Sequence, residues 1–203
     1  MIISLWYAVL FLVIFIYFNS ILFFCTRMYP NYSIMTRTIS GLGHPDQKYS
    51  KLFSISIIIM GVCLLPFPFY LLQALPAIWM SYIGIGFFYC SPVGIILVGI
   101  FPEDKEVPHL IAAVLAFGGI LIALMLLLYP IFISSLNKII VGILIGLLLI
   151  AIPLTISQVK TGRSYVPDKR IDKLIYNINF WEWMQFLSLE VLIFSIFINL
   201  LIL

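Results

Sequence analysis

Three clusters of polar residues in this 203-residue chain could carry chemistry. The first, residues 38–46, contains Ser40 and places Gly41 and Gly43 where a turn could present backbone N–H groups to an anion. Its alternative is a re-entrant turn that glycine merely permits. The second cluster holds Glu103, Asp104 and His109, and His109 could be a base, a metal ligand or a hydrogen-bonding strut.

Two glutamates form the third cluster. Glu182 opens the last apolar stretch, and Glu190 follows eight residues later, roughly 12 Å deeper at the rise of an α-helix. An ionisable side chain inside an apolar segment suggests a function, such as proton-linked transport. Its alternative role is that of a protonated carboxyl that donates a hydrogen bond between helices. Both roles stay open for Glu190.

Six apolar stretches must position these clusters. They cover about residues 2–24, 52–73, 77–100, 109–129, 139–158 and 180–203. Hydrophobic residues make up 64% of the chain and charged residues 9%, and runs of about 20 apolar residues are long enough to cross a bilayer as helices. The sequence therefore predicts an all-α polytopic membrane protein, a bundle of six transmembrane helices forming one domain over residues 1–203. The first stretch is interpreted as a retained span.

Basic residues are partitioned between alternate loops. Ten of the 11 Lys and Arg lie in the three loops that also hold the polar clusters, and Lys138 is the exception. Because Lys and Arg accumulate in cytoplasmic loops, this pattern places the clusters inside the cell and both termini outside, in the plasma membrane. The third span carries four glycines, which predicts that it lies at the centre of the bundle and is the most buried helix.

Several functions are not expected. A net charge of +3 is too small and dispersed for a nucleic-acid partner. Cys25, Cys63 and Cys90 include no Cys-x-x-Cys pair and suit buried thiols. Two histidines are fewer than metal-dependent hydrolases usually need, so neither a metal nor another cofactor is expected.

The order of the motifs resembles a known family. Ile39-Ser-Gly-Leu-Gly43, then Gly99-Ile-Phe-Pro-Glu-Asp104, then His109 before a small-residue helix resemble a prokaryotic six-helix membrane family catalogued as domain of unknown function 998. That family is similar to the DRAM/Frag/Sfk group, in which a Glu-Trp pair like Glu182-Trp183 is common. The resemblance implies a lipid context. Gly41 replaces an acidic residue often found in the first motif, which lowers the expectation of paired carboxylates there.

The favoured hypothesis is a membrane protein that binds, organises or helps to remodel lipids, or an accessory subunit of a membrane complex. Its partners would be membrane lipids and other membrane subunits, with His44, Arg37 and Lys51 as lipid-binding candidates. As a lipid-modifying enzyme it would use His109 as base, oriented by Asp104 or Glu182. A small proton-linked transporter or channel using Glu190 is the rival, and whether the protein is an enzyme stays open. We expect His109 within hydrogen-bonding reach, directly or through one water, of at least one candidate partner: Ser40, Asp104 or Glu182.

Overall fold

The computed structural model describes residues 3–136, 138–143, 145–147, 149 and 177–203, and all regular structure in these ranges is helical. Five helical stretches are long and apolar enough to cross a membrane: Leu5–Met28, Ser50–Gln73, Trp79–Ile100, Glu106–Ile133 and Asn179–Ile202. A shorter apolar helix, Lys138–Leu147, begins where the fifth span is predicted, and most of that prediction lies outside the described residues. The class, a polytopic helical membrane protein, is confirmed; the count of six spans stays a prediction.

Most of the spans are interrupted. The first is α1 (Leu5–Met28), the second is α2 (Ser50–Leu64) with α3 (Phe67–Gln73), and the third is α4 (Trp79–Phe88) with α5 (Cys90–Ile100). The fourth comprises α6 (Glu106–Ala113), a π-helical turn (Val114–Gly118) and α7 (Gly119–Ile133). The short helix is α8 (Lys138–Leu147), and the last is α9 (Ile178–Ile202). Pro66 separates α2 from α3 because proline has no N–H to continue the helix.

The third span lies between its two neighbours in the chain. Its half α5 packs on α2, and its half α4 packs on α7. The prediction that this span is the most buried one is wrong among the described spans, since the second span has the larger buried share. Gly94 faces a neighbouring helix, whereas nothing lies within 4 Å of the position that a Cβ would take at Gly86. The glycines therefore mark close pairwise contacts, not a span enclosed on all sides.

An aromatic cluster joins the first and last spans to the second. The Phe11 ring lies with its centroid 4.4 Å from that of Phe197 in α9 and 5.9 Å from that of Phe67 in α3. All three side chains are almost completely buried. Aromatic pairs at such distances stabilise a core beyond their area alone, so this cluster holds α9 against the chain's first half.

Candidate functional site

The polar site forms where three segments meet at one end of the bundle. They are the loop that ends in a 3₁₀ helix (Ser40–Gly43), the loop between α5 and α6, and the first turns of α9. Asn177 fastens α9 to the first loop, because its Nδ2 donates to the Met35 carbonyl at 2.9 Å. Its Oδ1 accepts from the Phe180 N–H, which caps the start of α9. One buried side chain thus sets both where α9 begins and where its first turn lies.

Glu182 is the anion that the 3₁₀ helix binds. The Ser40 N–H donates to Glu182 Oε1 at 3.3 Å, and the Ser40 hydroxyl donates to the same oxygen at 3.1 Å. The Ile39 N–H contributes a further hydrogen bond. A carboxylate at the N-terminal end of a helical turn satisfies N–H groups that have no partner within the turn. The backbone N–H groups at the start of this turn are therefore satisfied by a side chain of the same protein.

A second carboxylate, Glu103, lies against the same turn. The Thr38 hydroxyl donates to Glu103 Oε1 at 3.3 Å and accepts from the Gly41 N–H at 3.0 Å. A Cβ at Gly41 would come within 3.4 Å of Glu103 Oε2 and 3.2 Å of Thr38 Oγ1. Glycine at this position therefore lets the carboxylate approach the backbone. An acid from the next loop thus lies beside Gly41.

Trp183 holds the loop from the other side. Its Nε1–H donates to the Tyr32 hydroxyl at 3.0 Å, and that hydroxyl donates to the Thr38 carbonyl at 3.0 Å. The two rings meet edge to face with centroids 6.1 Å apart. Burial raises the pKa of Tyr32 above its usual range, which keeps the hydroxyl protonated and able to donate. Glu182 and Trp183 are adjacent in α9, and both hydrogen-bond to the loop that ends in the 3₁₀ helix, through different partners.

The Glu103 carboxyl has a perturbed proton affinity. Burial raises the pKa of Glu103 above its usual value near 4.5. Four neighbours oppose this increase and together do not cancel it: His109 most strongly, then the Thr38 hydroxyl, His44 and Arg37. Glu103 also repels the Glu182 carboxylate electrostatically. The site is therefore a pair of close acids surrounded by weak positive charge and hydroxyl donors.

His109 and Asp104 do not join this network directly. His109 Nδ1 lies 2.8 Å from the Phe101 carbonyl, and because a carbonyl can only accept, Nδ1 carries the proton. Within the described part of the chain, His109 makes no direct hydrogen bond to Ser40, Asp104 or Glu182. Asp104 is exposed. The acid that turns inward is its neighbour Glu103, and the catalytic roles suggested for His109, Asp104, Glu182 and Ser40 stay predictions.

Glu190 connects two spans. Its Oε1 accepts from Asn19 Nδ2 at 3.3 Å, and Asn19 also donates to the Phe15 carbonyl of its own helix at 3.1 Å. An acidic side chain within a span gains by pairing with a polar group on a neighbouring helix. Glu190 therefore makes a hydrogen bond between helices, but it accepts this bond, whereas the sequence suggested a protonated donor.

A cavity of about 260 Å³ opens beside the site, between the end of α1 and the turn that leads into α2. It is lined by nine residues, apolar and polar: Cys25, Met28, Tyr29, Pro30, Leu42, Asp46, Gln47, Lys48 and Tyr49. Cys25 and Leu42 are 4% and 2% exposed, so the floor is apolar, while Asp46 and Lys48 lie exposed at the rim. Such an apolar base with charged edges suits an amphiphilic ligand.

The predicted lipid-binding residues lie around this cavity but do not line it. His44 precedes the rim and lies 3.5 Å from the Asp46 carboxylate. The Arg37 guanidinium lies 5.7 Å from the centroid of the Tyr29 ring, and Lys51 is exposed in the first turn of α2. Lys48, which the sequence analysis did not single out, is the cation that reaches the cavity.

Among the described residues, no group of three His, Cys, Asp or Glu side chains is arranged to hold a metal ion. Glu103 and Thr38 lie in the predicted clusters but are not among the predicted site residues, and Asn177 lies outside the clusters. Asn177 had a readable signal, since Asn directly before the first residue of an apolar helix is a typical N-cap. Nothing in the sequence favoured Glu103 over Asp104, because adjacent acids in a loop look equivalent until the turn directs one of them inward.

The family known as protein of unknown function DUF998 matches residues 8–167. The chain belongs to this family. The match includes the 3₁₀ helix, Glu103 and His109, and it ends before Glu182 and Trp183. No curated protein matches the chain. No solved structure matches it either. The further relationship of DUF998 to the DRAM/Frag/Sfk group stays a prediction.

Proposed function

We propose that this DUF998 protein binds membrane lipid in the cavity beside its polar site. The observation that carries the proposal is the cavity's composition, an apolar floor of Cys25 and Leu42 below an exposed rim that holds Lys48. A phospholipid combines the same two properties, because its charged headgroup is attached to apolar chains. The cavity is large enough for a headgroup and too small for whole acyl chains.

The outer face of α1 supplies a path for the chains. Met28 lines the cavity and is 51% exposed, and Tyr17, about three turns earlier on the same face, is 36% exposed. Further along this face, Val13 and Leu10 are 60% and 50% exposed. Apolar side chains that face outward from a transmembrane helix meet lipid tails. A lipid with its headgroup in the cavity would therefore lay its chains along this face.

The charges at this end support the proposal. Arg27, Lys48 and Lys51 are exposed, and the structure gives none of them an ion pair within the described ranges. Cations that lie next to the end of a transmembrane helix attract lipid phosphates, at about 1 kcal/mol each near the surface. The same cations would also serve an accessory subunit that contacts its partners through lipid, but no contact in the described residues favours that function.

A cavity-filling variant tests the proposal. Met28→Trp should lower the phospholipid that co-purifies with the protein by about fivefold or more, a loss of about 1 kcal/mol in binding, as native mass spectrometry would measure. Met125→Trp is the matched control, because Met125 is also exposed on a span, α7, and does not line the cavity. Equal lipid retention by parent and Met28→Trp would show that lipid binds elsewhere or not at all.

We further propose that the protein lies in the plasma membrane with the cavity on the cytoplasmic side and both termini outside. The partition of Lys and Arg supports this orientation. In a cysteine-free background, Lys48→Cys should react with an impermeant maleimide only after the cells are opened, whereas Ser135→Cys, at the opposite end of the bundle, should react in intact cells. The reverse labelling pattern would invert the orientation.

A further inference from the structure

The rim of the cavity carries one acid and one base that do not neutralise each other. Asp46 and Lys48 both line the cavity, two residues apart. The one ion pair between side chains in the described ranges joins Asp46 to His44, and none joins Asp46 to Lys48. Two separated opposite charges at the edge of one cavity are suited to a ligand that carries both charges itself.

The geometry of His44 leaves the Asp46 carboxylate available. His44 Nδ1 lies 3.5 Å from Asp46 Oδ2, but the same nitrogen accepts the Asp46 backbone N–H at 3.3 Å. A ring nitrogen that accepts a hydrogen bond presents its lone pair and holds no proton to give to the carboxylate. The side chain of Asp46 is also 84% exposed. Because this nitrogen donates no hydrogen bond to it, the exposed carboxylate can still accept hydrogen bonds from a ligand at the rim of the cavity.

The aromatic faces at the cavity are already occupied. The Arg37 guanidinium lies over the Tyr29 ring, 5.7 Å from the ring centroid, and the Lys48 ammonium lies 5.3 Å from the centroid of the Tyr49 ring. A quaternary ammonium has no N–H groups and is held mainly by such faces. A primary ammonium can instead donate charge-assisted hydrogen bonds to a carboxylate. The acceptor that remains free, Asp46, selects the primary ammonium.

We propose that the cavity binds the headgroup of a zwitterionic aminophospholipid, with its primary ammonium on Asp46 and its phosphate on Lys48. This inference rests on the proposed lipid-binding function and names the ligand of the same site. An anionic headgroup without an amine satisfies Lys48 but leaves Asp46 facing a negative charge. A choline headgroup satisfies the phosphate contact and loses the hydrogen bonds to the carboxylate.

The test offers the purified full-length protein equal amounts of dioleoyl phosphatidylethanolamine, phosphatidylcholine and phosphatidylglycerol in mixed nanodiscs or micelles, and measures bound lipid by native mass spectrometry. Phosphatidylethanolamine should exceed each of the other two by about fivefold, the scale of one exposed charge interaction. Asp46→Asn should remove this preference and leave total binding within about twofold. Lys48→Gln should lower binding of all three lipids.

Two exposed residues at the start of α6 provide matched controls. Glu106→Gln and Lys105→Gln remove one acid and one base that do not line the cavity, and the preference should survive both changes. Equal binding of the three lipids, or a preference that persists in Asp46→Asn, would overturn the headgroup assignment while lipid binding stands. A parent protein that retains no lipid would overturn the proposed function and this inference together.

Discussion

Gly94 offers the sharpest test of the packing between the third and fourth spans. A Cβ built at Gly94 would lie 2.2 Å from the Ala116 nitrogen, 2.7 Å from its Cα and 2.8 Å from the Ala112 carbonyl oxygen. The first distance is more than 1 Å below the 3.4 Å at which ordinary contact begins. All three atoms belong to backbone, so no side chain can rotate away and α5 must separate from the π-helical turn that Ala116 occupies.

The expected magnitude follows from a comparison with Gly86 in the same span. Alanine in place of helical glycine is favourable by roughly 1 kcal/mol wherever there is space for the methyl group. At Gly86 nothing lies within 4 Å of the added carbon, so Gly86→Ala should be neutral or stabilising. Gly94→Ala has the same backbone gain but incurs an overpacking cost of about 1–3 kcal/mol. The difference between the two variants should therefore be about 2 kcal/mol.

Both variants can be unfolded reversibly by adding denaturing detergent to mixed micelles, with helix content as the signal. The difference between two glycine-to-alanine changes cancels the shared effect on the unfolded chain and isolates the contact with Ala116. Unfolding free energies within about 0.5 kcal/mol of each other would refute the close approach of α5 to the fourth span.

Three further predictions concern the polar contacts. Ser40→Ala should lower the unfolding free energy by about 1 kcal/mol, because the lost hydroxyl donates to Glu182. The loss should be much smaller in a Glu182→Gln background, and equal losses in both backgrounds would show that the two side chains do not interact. Because burial raises the pKa of Glu103, the folded state holds this carboxyl's proton more tightly than the unfolded chain does. The contribution of Glu103 to stability is therefore greatest at low pH and is lost as pH rises from about 4.5 through the raised pKa. Glu103→Gln should flatten the dependence of thermal stability on pH in that window, and a parent that gains stability there relative to the variant would show a lowered pKa. Asn19→Leu should cost about 0.6–1.7 kcal/mol and become nearly neutral once Glu190 is also Leu, as a double-mutant cycle in the same assay would show.

The sequence by itself determined the helical class and the gathering of the polar clusters. Apolar stretches of sufficient length must become helices in a bilayer, because no other open structure satisfies their backbone groups. Alternate loops of such a bundle lie at the same end, which is why Ser40 and Glu182 could be expected to meet although 142 residues separate them. These conclusions depend on length, order and composition, which are all properties of the chain read along its length.

Tertiary structure alone decided which of two similar residues in one segment is packed against the rest of the protein. Glu103 and Asp104 are neighbours of the same type, and the turn between α5 and α6 directs the first inward and leaves the second exposed. Gly94 and Gly86 lie in the same span, and the rotation of each half against its neighbour places one against backbone and the other in open space. Side-chain direction depends on loop dihedrals and helix rotation, and contacts between residues distant in sequence set both.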